Sequence, residues 1–135
     1  DIDGDGDMDA FVGNNYGETM YFQNTGTAKA PVFAEPQGNA FGLQNVGSDA
    51  VPTFADVDKD GDMDAFFGTS GGNILYSENT GSRTAPAFAE VRWIDHLDTN
   101  AAPTFVDLNG DGTLELAVGQ SSGNVVLVGL SDLAL

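Results

Sequence analysis

An aspartate-rich loop pattern occurs three times, in one register, in this chain of 135 residues. The copies read Asp1-Ile2-Asp3-Gly4-Asp5-Gly6-Asp7-Met8-Asp9, Asp56-Val57-Asp58-Lys59-Asp60-Gly61-Asp62-Met63-Asp64 and Asp107-Leu108-Asn109-Gly110-Asp111-Gly112-Thr113-Leu114-Glu115. Loop places one, three, five and nine carry an oxygen side chain in every copy, and place six is always glycine. That spacing suits a short loop wrapped around a hard cation. Alternate residues turn their oxygens inward, and the glycine permits the tight turn between them. Without a cation, the five carboxylates of the first nine residues would repel one another. An EF-hand would need a bidentate Glu at place twelve. Val12, Phe67 and Val118 stand there instead, so the loop is expected to lead into a strand and not a helix. Met63 to Gly68 is short, apolar and ended by glycine, as a buried strand should be. A merely solvated turn is the competing reading of each copy, and three copies in one register argue against it.

The loops begin at residues 1, 56 and 107, so the periods are 55 and 51 residues, a range typical of propellers and arrays. Other segments repeat in step. Tyr21-Phe22-Gln23-Asn24-Thr25-Gly26 matches Tyr76-Ser77-Glu78-Asn79-Thr80-Gly81, and Ala30-Pro31-Val32-Phe33-Ala34-Glu35 matches Ala85-Pro86-Ala87-Phe88-Ala89-Glu90. Pro52-Thr53-Phe54-Ala55-Asp56 matches Pro103-Thr104-Phe105-Val106-Asp107. The extra residues of the first period are placed in the Gly- and Asn-rich connection from Gly38 to Asp49, read as loop. One period is expected to hold four strands: Thr53 to Asp56, Met63 to Gly68, Ile74 to Glu78, and a fourth from near Ala87 through Trp93 and Ile94. Four short antiparallel strands per repeat make a propeller blade. No stretch has a helical period, so almost no helix is expected.

These residues resemble the FG-GAP repeat, also called the VCBS repeat, known from integrin α-subunits and many bacterial surface and secreted proteins. The loop pattern, the Phe67-Gly68 pair and the Ala-Pro-x-Phe segments carry the resemblance. It implies an all-β fold of propeller blades, each a four-stranded antiparallel sheet, with Ca2+ in the loop between a blade's first two strands. It also implies ligands from the side chains at places one, three, five and nine and from the backbone carbonyl at place seven. Up to three calcium sites follow. The first comprises Asp1, Asp3, Asp5, Asp9 and the Asp7 carbonyl, the second Asp56, Asp58, Asp60, Asp64 and the Asp62 carbonyl. The third comprises Asp107, Asn109, Asp111, Glu115 and the Thr113 carbonyl. It departs from the pattern, because Asn109 removes a charge and Glu115 is longer than Asp, and fewer charges mean weaker binding.

The chain holds about two and a half blades in this reading: a partial blade over 1–49, a full one over 50–100 and a partial one over 101–135, ten strands in all. Propellers close with about four to eight blades. The expectation is therefore a fragment of a longer polypeptide, a protomer that completes a propeller with copies of itself, or a fibre subunit. Open blade edges favour self-association, so the purified chain is not expected to be a monodisperse monomer. A clean monomer by light scattering would contradict this.

Charge narrows the partners. The formal charge is −17, which argues against nucleic acid and anionic membrane surfaces, since both are bound through basic patches. No run is apolar enough for membrane insertion and no signal-peptide pattern is visible. A targeting segment could still have preceded a chain that starts inside a motif. Cysteine is absent. Calcium loops at this density suit an extracellular or cell-surface location, where calcium is abundant.

The carboxylates are read as metal ligands and not as catalytic acids, because their spacing is that of a loop, and the chain is expected not to be an enzyme. The alternative is a fragment of a propeller enzyme acting on polysaccharide, which would use a non-loop acid such as Glu35, Glu90 or Asp95. His96, the sole histidine, reads as a surface or packing residue at a strand end. Trp93, Tyr16, Tyr21 and Tyr76 are expected to fill space between blades, with a sugar-stacking surface as the alternative. Phe33, Phe54, Phe66, Phe67, Phe88 and Phe105 are expected in the core. The glycine-rich turns at 13–17, 68–72 and 119–123 lack the Lys and the helix of a phosphate loop. A protein or carbohydrate ligand remains compatible with all of this.

Overall fold

The computed structural model describes residues 1–133 and 135. Its architecture is all-β, with ten strands in three antiparallel sheets among the described residues. The first sheet contains β1 (Ala10–Gly13), β2 (Thr19–Phe22) and β3 (Gln37–Gly38). The second contains β4 (Val51–Ala55), β5 (Asp64–Gly68), β6 (Asn73–Ser77) and β7 (Arg92–His96). The third contains β8 (Ala102–Val106), β9 (Glu115–Gly119) and β10 (Val125–Gly129). Within each sheet consecutive strands are neighbours. The only helical pieces among the described residues are two single 3-10 turns, Ala40–Gly42 and Leu130–Asp132. Among the described residues, no helix is long and apolar enough to cross a membrane.

Each acidic loop lies just before or between paired strands. The second joins β4 to β5, where Ala55 pairs with Asp64. The third joins β8 to β9, where Val106 pairs with Glu115. The first leads into β1. The sequence therefore folds locally as a hairpin with a long, acid-lined connection.

The sheets stack through two apolar layers, and the middle sheet serves both. Successive residues of a strand point to opposite faces, so β5, buried along its whole length, divides its side chains. Ala65 and Phe67 join Tyr21, Ile2 and Phe88 toward the first sheet. Phe66 joins Ile74, Tyr76, Leu116 and Val118 toward the third. The same aromatic trio forms twice. Phe11 lies 5.0 Å from Tyr21 and 4.4 Å from Phe54 between ring centres. One repeat later, Phe66 lies 4.9 Å from Tyr76 and 4.7 Å from Phe105. Such tilted pairs add about 0.5–1.5 kcal/mol beyond the area they bury.

Several expectations need correction. The fourth strand of the middle sheet begins at Arg92 and not near Ala87. Phe88 makes only an isolated bridge to Asn79. The ladder breaks because the Val91 N–H goes to the Gln44 side chain, 3.2 Å away, while the Ala89 carbonyl accepts the Ser77 hydroxyl. In the first sheet the matching strand shrinks to Gln37–Gly38, directly after Pro36, which has no N–H to give. The Gly38 to Asp49 connection is a loop in form but not in packing, since Ala40 and Leu43 are buried in the first apolar layer. Phe33 is 48% exposed and does not join the core. Tyr21 and Tyr76 fill space between sheets as expected, whereas Trp93 and Tyr16 are exposed. His96 ends β7, with its ring nitrogen 2.9 Å from Asn73 Oδ1.

Candidate functional site

All three acidic loops close on one lattice of hydrogen bonds. The place-six N–H donates to the place-one carboxylate: Gly6 to Asp1 (3.3 Å), Gly61 to Asp56 (3.1 Å) and Gly112 to Asp107 (2.9 Å). The place-five N–H donates to place three: Asp5 to Asp3, Asp60 to Asp58 and Asp111 to Asn109. The place-seven N–H donates to place five: Asp7 to Asp5, Asp62 to Asp60 and Thr113 to Asp111. Asp and Asn side chains that bond the backbone two residues on are the usual makers of such turns. The place-six glycines have φ of 96°, 98° and 84°, a region that side chains disfavour. Lys59 has φ 65° where the other loops have Gly4 and Gly110.

The lattice brings carboxylates together. In the first loop Asp1, Asp3 and Asp5 each place an oxygen within 4.8 Å of the others, and in the second loop Asp56, Asp58 and Asp60 do the same. The third loop, with Asn109 at place three, has no such trio of carboxylates among the described residues. Neighbours outside the loop also reach the first trio. Gln23 Nε2 donates to Asp3 Oδ2 (3.1 Å), and the Arg83 guanidinium lies 3.6 Å from Asp1.

The place-nine acids stand apart from the trios and tie the loop to the sheet. Asp9 accepts the Ile2 N–H (3.1 Å) with one oxygen and the Asn24 N–H (2.9 Å) with the other. Asp64 accepts the Asn79 N–H at 2.9 Å. Glu115 accepts the Leu108 N–H at 2.9 Å and the Asn109 side chain at 3.3 Å. Burial is deepest at the second loop, where Asp64 is 1% and Asp62 7% exposed. Three carboxylate oxygens there, Asp56 Oδ1, Asp62 Oδ1 and Asp64 Oδ2, are buried without a hydrogen-bond partner. A buried charged oxygen left without a partner is expensive. A cation in the loop would satisfy the oxygens of Asp56 and Asp64, so the residues fit one.

Electrostatics agree. Burial pushes the Asp64 carboxyl up from 3.8 to about 6, against the pull of the Asn79 N–H, with Asp58 and Asp62 raising it further. Asp62 is also raised, first by burial and then by Asp60, Asp58 and Asp56. In the exposed third loop, Asp111 is lowered by the Thr113 N–H and the Asn109 side chain. The sign for stability follows. A carboxyl whose folded pKa is raised stabilises the fold while protonated, and this contribution is lost as pH rises from about 4 to about 6. In excess chelator the chain is therefore expected to resist urea better at pH 4.5 than at pH 7.5, with Asp64 supplying about 2 kcal/mol of the difference. Asp64→Asn should flatten the profile.

Sequence reasoning overlooked two organising residues, Asn24 and Asn79, although the repeated Asn-Thr-Gly contained them. Each is buried, offers its N–H to the place-nine acid and accepts two backbone N–H groups on its Oδ1. For Asn24 the donors are Gly26 and Val32 (both 3.0 Å); for Asn79 they are Gly81 (3.0 Å) and Ala87 (2.9 Å). Asn79→Ala would strand both donors, a cost of about 2–3 kcal/mol. Urea denaturation would show this as a lowered midpoint.

The FG-GAP-like repeat profile matches residues 1–67 and again 56–118. The chain belongs to the FG-GAP-like repeat family. Each match opens at an acidic loop and ends in the strand after the next loop, in β5 and β9. The FG-GAP-like unit thus spans a sheet together with the entry to its neighbour. No curated protein and no solved structure matches the chain.

Proposed function

We propose that this chain is a calcium-binding structural or adhesion-type module of an extracellular protein, its three sheets being blades of a β-propeller. The partnerless buried oxygens of Asp56 and Asp64 carry the reading. They sit at places one and nine of a loop whose places one, three and five already converge. A hard cation is attracted by oxygen donors of this kind and number. Asp1, Asp3, Asp5 and Asp9 would hold one ion, Asp56, Asp58, Asp60 and Asp64 a second, and Asp107, Asn109, Asp111 and Glu115 a weaker third. The carbonyls of Asp7, Asp62 and Thr113 would complete the sets.

Calcium would supply neutralisation of the loops. The chain's own residues do the rest. Place-five and place-three side chains fix the turn, and the place-nine acid anchors it to Asn24 or Asn79 of the same sheet. A rigid, non-enzymatic scaffold results, which presents its surface to protein or carbohydrate partners and associates with copies of itself.

Asp60→Ala tests the ligand assignment. Its carboxylate belongs to the second trio and accepts the part-buried N–H of Asp62. Titration calorimetry is expected to lose one calcium equivalent, and the thermal midpoint should fall in calcium but hardly in chelator. An unchanged stoichiometry would rule the assignment out.

A further inference from the structure

The cation reading leaves one buried acid unassigned. Place seven would give each ion its backbone carbonyl, so the side chain there is left over. At place seven Thr113 is exposed and Asp7 half-buried, but Asp62 is buried and its Oδ1 has no partner. Asp62 does not converge with Asp56, Asp58 and Asp60, so an ion held by that trio would not satisfy it. Its surroundings are a cleft of about 320 Å³ between the first and second loops, within the range of about 300–1,000 Å³ usual for small-ligand sites. Ile2, Met8 and Met63 give the cleft apolar walls. Arg83 stands at its side, with its guanidinium 3.6 Å from Asp1. The first loop is pressed onto that same turn, since a Cβ on Gly4 would lie 2.8 Å from Thr84 Cγ2. A Cβ on Gly61, by contrast, would meet nothing within 4 Å, so the second loop's side stays open. The opening at place eight belongs to the loop and not to the chain's first residue, because Met63 is 45% exposed although the whole of β4 precedes its loop.

We propose that this cleft binds an alkylammonium group, its head on Asp62 Oδ1 and its methylene stem along Ile2, Met8 and Met63. The site lies outside the calcium sets and uses a side chain they leave idle. Three features choose this chemistry. A buried carboxylate oxygen without a donor is costly, and a charged N–H donor relieves the cost. The walls are aliphatic and thioether, which suit a hydrocarbon stem and not the water shell of a metal ion. One free buried oxygen matches the compact ammonium, whereas a guanidinium fork is built to meet two. Arg83 is already turned to Asp1, so it neutralises that acid and leaves Asp62 to the ligand. The net charge of −17 draws cations toward the cleft. A free alkylamine and the lysine side chain of a partner share this chemistry.

The three methionines give the test. Met8 and Met63 line the cleft, and Met20 lies outside it on β2. With the methionine methyl groups labelled by carbon-13, the chain is titrated in excess calcium with n-butylammonium and with Nα-acetyl-lysine methylamide. Salt at about 0.15 M shortens the Debye length to about 8 Å and suppresses diffuse attraction. The Met8 and Met63 signals are expected to shift and saturate while Met20 stays still. The norleucine analogue, which has the stem without the ammonium, should do nothing. Asp62→Asn should weaken binding about tenfold or more. Glu35→Gln makes the same charge change at an exposed residue and should leave binding unchanged. Should Asp62→Asn fail to fold, Met8→Lys serves instead, since Met8 is 72% exposed and a cation there should abolish binding. Saturation by both probes supports a lysine-bearing partner; saturation by butylammonium alone supports a free amine. Equal shifts with the norleucine analogue, or full binding by Asp62→Asn, would overturn the proposal. So would shifts that appear in chelator and vanish in calcium, because the probe would then be filling an empty loop. Absence of any shift would overturn it too. None of these outcomes bears on how many calcium ions the loops hold, which calorimetry reads separately.

Discussion

In calcium at about 10–100 mM, a hundredfold above the Kd of such sites, the chain is expected to melt roughly 15–20 °C above its midpoint in excess chelator. The size comes from the two loops with converged carboxylates. At calcium a hundredfold above Kd, each independent site stabilises the fold by about 2.7 kcal/mol. Sites in extracellular modules bind at about 0.1–1 mM, so calcium in the upper part of the millimolar range or above is the concentration to use. Two sites together rival a large share of the roughly 5–15 kcal/mol that holds a domain folded. The third loop should add less, because Asn109 brings no charge and both Asn109 and Asp111 are exposed. Asp64 makes the effect depend on pH. Its carboxyl, pushed up to about 6 by burial, must lose its proton before it can serve a cation, so the calcium-dependent shift should shrink as pH falls below 6. Superimposable melts with and without calcium would mean that the hydrogen-bond lattice alone holds the loops, and the metal reading would fall.

The parts that were legible in the sequence repeat at fixed spacing. The acidic loops, the strand Asp64–Gly68 and the return strand Asn73–Ser77 occur in step, and periodicity reports backbone form directly. Phe66 and Phe67 were expected in the core, and the strand's two-residue period sends them to different layers. What the sequence hid depends on neighbours in space. Phe33 and Phe88 sit in the same local motif, yet Phe88 is buried because the first sheet lies over it, and nothing in the described residues lies over Phe33. Trp93 looks like core by hydropathy but sits on β7, the edge strand of its sheet. The place-nine acids look like the other loop acids in sequence. Only the fold reveals that they also accept the N–H groups of Asn24 and Asn79, from residues 15 positions away.

Gly68→Ala is expected to destabilise the chain by more than about 3 kcal/mol, while Gly119→Ala should be neutral or slightly stabilising. The two glycines occupy the same place in successive sheets, at the ends of β5 and β9. Neither has the positive φ that would demand glycine for backbone reasons. Their surroundings differ. A Cβ on Gly68 would sit 2.0 Å from the Ala101 carbonyl oxygen and 2.6 Å from Pro103 Cδ. These belong to the chain entering the third sheet, so a methyl group would force that sheet away from the second and open the layer around Phe66 and Phe105. Gly13 faces the same crowding one period earlier, with the Ala50 carbonyl oxygen 1.8 Å from its would-be Cβ. A Cβ on Gly119 would meet only the Ala102 carbonyl oxygen, at 3.9 Å, an ordinary contact, and alanine restricts the unfolded chain more than glycine does. Urea denaturation of the two variants side by side isolates the stacking of sheets from every effect of loop, strand or cation. Similar losses at both positions would mean that the glycine serves the strand itself. A large loss at Gly68 alone would locate its role in the backbone contact through which one repeat seats the next.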